Sequence, residues 1–285
     1  MLYSDGRAPV KTEQFCADFY ESHPDITGMS ADQFDNLVGR SNERYQSLPY
    51  HGYAHPMQVM WDAAALISQY GIKLPAESRA GLFVGIAYHD MGESFPAEER
   101  QHKSPEQFSA DSMYEDRAKL GLDDRVLDIA RSCIVATAPG IFKRRAVETR
   151  VMVRADIANV LSGDFERMAE ATRLLVDERM LKDHQDHDDF LIESFIRNTT
   201  AVLGHYLQTD LHVHPKDEWS KQSTNAMQKV NTQIPPIARN HFNGIARSLG
   251  HQMQDGVYPY RISQGSSFVV TPAPWTDSPG PSTTS

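Results

Sequence analysis

Apolar residues recur every three or four positions along most of this chain, which is the spacing of the buried face of an α-helix. The sequence lacks convincing runs of alternating apolar and polar residues between turn signals, the pattern that predicts β-strands. The pattern therefore predicts an all-α protein. Helices are expected at residues 10–22, 30–47, 55–70, 76–91, 105–120, 123–137, 146–162, 164–182, 187–209 and 236–252, with a weaker one at 216–230.

The chain is expected to divide into successive regions. Residues 1–48 are expected to form helical elements that pack onto a core. Residues 49–162 are expected to form that core, and they contain all candidate functional residues. Residues 163–262 continue in helices without an obvious linker, so we assign them to the same domain as an extension. Residues 263–285 are rich in Pro, Ser and Thr and are expected to be disordered.

Three helical segments carry metal-ligating side chains at positions that should be buried. The apolar run 81–88 is followed directly by His89 and Asp90, and His55 stands at the start of an earlier helix. Asp156 lies among apolar residues that almost encircle its helix. An ionised carboxylate in such surroundings is costly unless a partner neutralises it. Two imidazoles and two carboxylates form a mixed nitrogen and oxygen set that suits a divalent transition metal.

Composition and charge limit the functions that such a site can serve. The content of 40% hydrophobic and 23% charged residues is that of an ordinary globular protein, and the net charge of −10 argues against binding of extended nucleic acid. Cys16 and Cys133 have no CxxC spacing, which argues against a disulfide framework and favours a reducing, cytoplasmic location. We find no signal-peptide core and no apolar run long enough to span a membrane.

The ordered set His55, His89-Asp90 and Asp156 resembles the H…HD…D pattern of the HD-domain superfamily of metal-dependent phosphohydrolases. The segment 50–55, Tyr-His-Gly-Tyr-Ala-His, is similar to the YHNxxH segment that opens many members. The stretch 106–110 is similar to the NEExSA-like stretch of small bacterial members. The resemblance implies an HD-domain helical bundle over residues 49–162, with extra helices on both sides.

Departures from the family pattern bear on the number of metal ions. Gly52 stands where the family usually has Asn, and Thr137 is not followed by the histidines that two-metal members often supply. Between Asp90 and Asp156 the only histidine is His102. The expectation is therefore one divalent ion, which could be Mn, Co, Ni, Fe, Zn or Mg.

The resemblance also implies roles for residues near the ligands. Glu93 matches the Glu of an HDxxE segment, which assists the attacking water, and His51 matches the first His of YHNxxH, a general acid or phosphate contact. An acidic protein needs local cations to hold a phosphate group. Lys103 and Arg144, the latter within a basic triplet, are the candidate substrate contacts.

These observations favour a metal-dependent phosphohydrolase that cleaves a phosphate ester or anhydride of a small nucleotide-like substrate with metal-activated water. Two alternatives stay open. One is an HD scaffold that binds metal or nucleotide as a regulatory module without turnover. The other is an HD enzyme with a non-phosphate substrate, such as an oxygenase or a hydratase. The sequence is compatible with a homodimer.

Overall fold

A computed structural model describes residues 12–45, 48–138, 146–158 and 211–219, several single residues between 167 and 228, and the strand segments 260–262 and 270–272. Within these residues the protein is built mainly of α-helices, which confirms the predicted all-α class. The helices are α1 (Thr12–Ser22), α2 (Ala31–Arg44), α3 (Ala54–Tyr70), α4 (Ala76–Tyr88), α5 (Pro105–Glu115), α6 (Arg117–Leu120), α7 (Asp124–Ala136) and α8 (Val147–Asp156), with a 3-10 helix at Met91–Ser94.

The helices predicted at 30–47 and 146–162 end early, at Arg44 and Asp156, and two others change along their length. The helix expected at 76–91 ends at Tyr88, and the chain tightens into the 3-10 helix after Asp90. The helix expected at 105–120 is divided at Asp116 into α5 and α6. The helices predicted at 187–209 and 236–252 lie outside the described residues, as does most of 164–182.

Two short strands near the C-terminus were not predicted. β1 (Tyr260–Ile262) and β2 (Val270–Pro272) pair antiparallel, with Tyr260 opposite Pro272. Each strand has three residues, which is too short for an alternating pattern to show in the sequence. β2 falls within the predicted tail, and the rest of that tail lies outside the described residues.

Helix α4 occupies the centre of the described helices. Its first turn is partly exposed, but its residues from Ala80 to Tyr88 are all buried, so this part of the helix has no solvent face. Two glycines one helical turn apart allow α7 to approach closely. A Cβ atom at Gly85 would lie 2.7 Å from the Cβ of Cys133, and one at Gly81 would lie 2.5 Å from a methyl carbon of Ile129. The end of α4, where the His-Asp pair follows, is therefore held by tight packing.

A buried carboxylate ties the end of α4 to two other helical elements. Asp116 accepts hydrogen bonds from Arg44 Nε at 2.9 Å, Arg44 Nη2 at 2.8 Å and the Tyr88 hydroxyl at 3.1 Å. Burial alone would raise the pKa of Asp116, but the Arg44 guanidinium outweighs this effect and lowers it. Asp116 therefore stays ionised in the core and fixes Tyr88, the residue before His89.

The segment 211–219 packs against the helix that ends in Asp156. Arg154 of α8 forms a buried ion pair with Asp217. Its guanidinium also lies over the rings of Tyr70 and Trp219, at 5.6 and 5.1 Å from the ring centroids. These contacts connect α8 to the end of α3 and to a distant part of the chain.

None of the helices in the described part of the chain has the length and apolar character needed to cross a membrane. Cys16 and Cys133 are free and buried.

Candidate metal site

His55, His89, Asp90 and Asp156 converge on one small volume. Each offers one ligand atom, and these four atoms all lie within 4.8 Å of one another. His55 Nε2 is 3.2 Å from Asp90 Oδ2 and 3.1 Å from Asp156 Oδ1. His89 Nε2 is 3.1 Å from Asp90 Oδ2 and 3.4 Å from Asp156 Oδ1. The two imidazoles and the two carboxylates therefore alternate around a common centre.

Helix ends bring these four side chains together. His55 is in the first turn of α3, His89 and Asp90 directly follow α4, and Asp156 is the last residue of α8. Helix α8 packs against both α3 and α4. Side chains at helix ends can point past the last turn, so three packed helices can supply four groups to one point.

Burial differs between the two kinds of ligand. The His55 side chain is 1% exposed and that of His89 is 0% exposed, whereas the side chains of Asp90 and Asp156 are 16% and 19% exposed. The imidazoles therefore form the inner wall of the site. The carboxylates line the side that solvent, or a small substrate, can reach.

His89 is held in the tautomer that a metal requires. Its Nδ1 lies 2.9 Å from the Ile86 carbonyl, and because a carbonyl only accepts, Nδ1 must carry the hydrogen. Nε2 is buried and makes no hydrogen bond, although it lies near both carboxylates, because neither contact has the required direction. A buried nitrogen without a hydrogen bond, facing two carboxylates, fits a metal ligand.

The carboxylates and imidazoles shift one another's pKa values. Burial alone would lower the pKa of His55 and His89, but contacts with Asp90 and Asp156 outweigh it and raise both pKa values, that of His89 strongly. Burial alone would raise the pKa of the two carboxyl groups, yet the imidazoles lower both, that of Asp90 strongly. In the absence of a metal, the imidazoles therefore retain protons that balance the carboxylates.

His51 lies beside the four ligands and is held by a residue that the sequence analysis did not identify. The centroid of the His51 ring is 6.5 Å from that of His55. The buried Glu178 carboxylate pairs with His51 Nδ1 at 2.7 Å and accepts the backbone N–H groups of His51 at 2.7 Å and Tyr50 at 3.2 Å. One carboxylate therefore fixes both the loop and the imidazole.

The sequence carried little signal for Glu178. It stands between Asp177 and Arg179, so unlike Asp156 it is not surrounded by apolar residues in the sequence. Its partner is more than a hundred residues away in the chain, so the sequence alone could not connect the two.

The other predicted site residues have varied surroundings. Glu93 is half-buried on the 3-10 helix, and not on a continuation of α4 as its predicted position beside the metal assumed. Lys103 Nζ pairs with Asp111 at 2.8 Å on the surface. Arg144 lies outside the described residues.

No protein-family model matches this chain, and no curated protein matches it. The likeness to the HD superfamily therefore rests on the order of the four ligands in the sequence and on the motif residues around them.

The pKa shifts predict how the stability of the metal-free protein depends on pH. A histidine whose pKa is higher in the folded than in the unfolded protein stabilises the fold below its unfolded-state pKa of about 6.5. This stabilisation is lost as the pH rises through the folded-state pKa. In EDTA, the melting temperature should therefore fall as the pH rises above about 6.5, because His55 and His89 lose their protons beside two carboxylates. Thermal unfolding followed by circular dichroism measures this.

The Asp90→Asn variant is the control for this prediction, because it removes the charge that most strongly raises the pKa of His89. Its melting temperature should depend less on pH over the same range. With a saturating divalent metal, the melting temperature of the wild-type protein should no longer fall as the pH rises, because metal binding is favoured once the ligands are deprotonated. Identical pH profiles for the wild type and Asp90→Asn in EDTA would contradict the prediction.

Proposed function

We propose that this protein is a metal-dependent phosphohydrolase of the HD type that cleaves a phosphate ester or anhydride of a small nucleotide-like substrate. The observation that carries the proposal is the convergence of His55, His89, Asp90 and Asp156 within 4.8 Å, with the carboxylates on the accessible side. One divalent ion, which could be Mn, Co, Ni, Fe, Zn or Mg, matches this donor set. When bound, such an ion polarises a phosphoryl oxygen and lowers the pKa of a coordinated water.

His51 supplies proton transfer or phosphate contact in this proposal. The Glu178 carboxylate can only accept, so His51 Nδ1 carries a hydrogen and Nε2 is left to exchange a proton with a leaving-group oxygen or to contact a phosphate oxygen. Glu178 thus orients His51 through its imidazole and its backbone N–H.

Glu93 positions the attacking water in this proposal. The reason is its place on the 3-10 helix after Asp90, and not on a continuation of α4. In a 3-10 helix, side chains three residues apart lie on the same side. Glu93 follows Asp90 by three residues, and its N–H donates to the Asp90 carbonyl at 3.0 Å. Glu93 therefore lies on the Asp90 side of the turn, and we assign it as the general base or the residue that positions water.

Phosphate recognition is assigned to Lys103 and Arg144. The contact of Lys103 with Asp111 is exposed on both sides, and such surface pairs contribute little, so Lys103 can exchange this partner for a phosphate oxygen at small cost. With a net charge of −10, the protein is suited to a small phosphate compound and not to extended nucleic acid. The two free, buried thiols support a cytoplasmic location.

A panel of metals and substrates tests the proposed function. We expect phosphate release from at least one nucleoside mono-, di-, tri- or cyclic phosphate when one of the six divalent metals is present. The Asp90→Ala variant should lose this activity, because it removes one of the four candidate ligands. Asp32→Ala, on the exposed surface of α2, is the matched control and should retain the activity.

The alternatives give distinct results in the same panel. Folded, metal-loaded protein that binds a nucleotide without turnover would contradict the hydrolase and favour a regulatory binding module. Oxygen consumption that depends on bound iron would favour an oxygenase. Phosphate release that persists in Asp90→Ala would show that the activity does not come from this site.

The Glu178→Gln variant tests the role of His51. A neutral amide can donate to Nδ1, so His51 should change tautomer and carry its hydrogen on Nε2 instead. We expect turnover to fall by about 10²-fold, whereas the dissociation constant of the metal should stay unchanged. Glu13→Gln, on the exposed surface of α1, is the control. Equal loss of metal binding and turnover would instead assign Glu178 a purely structural role.

A further inference from the structure

The backbone N–H of Asp90 is bonded to a side chain from a distant helix. In a continuing α-helix this N–H would donate to the carbonyl of Ile86, four residues earlier. Helix α4 ends at Tyr88, however, and the Asp90 N–H instead donates to the Tyr45 hydroxyl at 3.3 Å. Tyr45 thus takes the place of a helix carbonyl.

The Ile86 carbonyl, which does not accept the Asp90 N–H, accepts a different hydrogen bond. Ile86 accepts the Nδ1 hydrogen of His89 at 2.9 Å, which keeps the His89 Nε2 lone pair directed at the ligand cluster. One exchange of hydrogen-bond partners therefore serves both residues of the His-Asp pair. His89 gains an orienting acceptor, and the Asp90 N–H keeps a partner.

The backbone and the ring of Tyr45 are both held in place by neighbouring residues. It caps the C-terminus of α2, where its backbone N–H donates to the Asn42 carbonyl. Its ring packs against Tyr53 at 5.2 Å between centroids, with an angle of 64° between the planes. Tyr53 is held in turn, because its hydroxyl pairs with Ser41 of α2 at 2.6 Å. The Tyr45 hydroxyl is therefore placed by packing and not by a flexible loop.

We propose that Tyr45 is a positioning residue of the candidate metal site, because its hydroxyl accepts the Asp90 N–H and leaves the Ile86 carbonyl to orient His89. This inference rests on the proposed metal function of the site and adds a residue that none of the HD motifs includes. Without the hydroxyl, the Asp90 N–H loses its acceptor. It can regain one from the Ile86 carbonyl only if the chain continues as an α-helix past Tyr88, and that change moves Asp90.

The first test needs no metal. Tyr45→Phe keeps the ring and removes only the acceptor. In metal-free protein, we expect the Asp90 amide to exchange its hydrogen about tenfold faster than in the wild type. Tyr20→Phe is the control, because it removes a partly buried tyrosine hydroxyl that bonds with Thr27 and Met29 and not with a ligand. Equal Asp90 exchange in Tyr45→Phe and Tyr20→Phe would overturn the proposal.

The second test uses Co²⁺ alone, with its visible absorption as the readout of ligand geometry. We expect Tyr45→Phe to weaken Co²⁺ binding by about tenfold and to change the spectrum, while Tyr20→Phe leaves both unchanged even if its melting temperature falls. Wild-type Co²⁺ affinity in Tyr45→Phe would overturn the positioning role. If the wild-type protein binds no Co²⁺, the proposed function loses its support, and amide exchange decides the role of Tyr45.

Discussion

Asp90 and Asp156 both lie against His55 Nε2, at 3.2 and 3.1 Å, and their negative charges must be balanced inside a largely buried site. The protein can achieve this in two ways. Without a metal, the balance comes from protons on His55 and His89, whose pKa values are raised. With a divalent ion, the same imidazoles become neutral ligands and the ion supplies the positive charge. The arrangement could therefore hold a metal ion, and it also balances its charges in the metal-free state.

The rest of the described structure holds these charges in place. Helix α4 is buried on all sides from Ala80 to Tyr88, and its two glycines allow α7 to lie close against it. Asp116 fixes Tyr88 through a hydrogen bond and is itself balanced by Arg44. The buried pair of Arg154 and Asp217 secures the helix that carries Asp156. Burial of the ligands thus depends on a surrounding shell of packed helices and paired charges.

The sequence predicted the features that depend on local pattern. Helical periodicity gave the fold class, and polar residues inside apolar helices identified His89, Asp90 and Asp156, because a buried charge leaves a visible break in a hydrophobic pattern. Features that depend on contacts between distant parts of the chain could not be predicted from the sequence. Glu178 reaches His51 across more than a hundred residues. The function of Tyr45 depends on a helical hydrogen bond that is not formed, and the pattern of residues contains no sign of it.

The HD resemblance and the geometry support the same function by separate routes. The resemblance depends on the order of ligands and neighbouring motif residues, whereas the geometry depends on distances and burial that the sequence does not contain. His51 shows the difference most clearly. The motif proposes that it acts on the substrate, and the structure adds the Glu178 carboxylate that would orient it for that task.

The most direct test of this account is the metal content and ligand shell of the purified protein. X-ray absorption spectroscopy of the full chain, loaded with Co²⁺ and freed of excess metal, should show one ion per chain bound by two imidazoles and by oxygen ligands. The Asp156→Ala variant should lose most of this ion while its circular dichroism spectrum stays helical. Folded wild-type protein that retains no stoichiometric ion, or an ion that Asp156→Ala retains unchanged, would contradict the central claim.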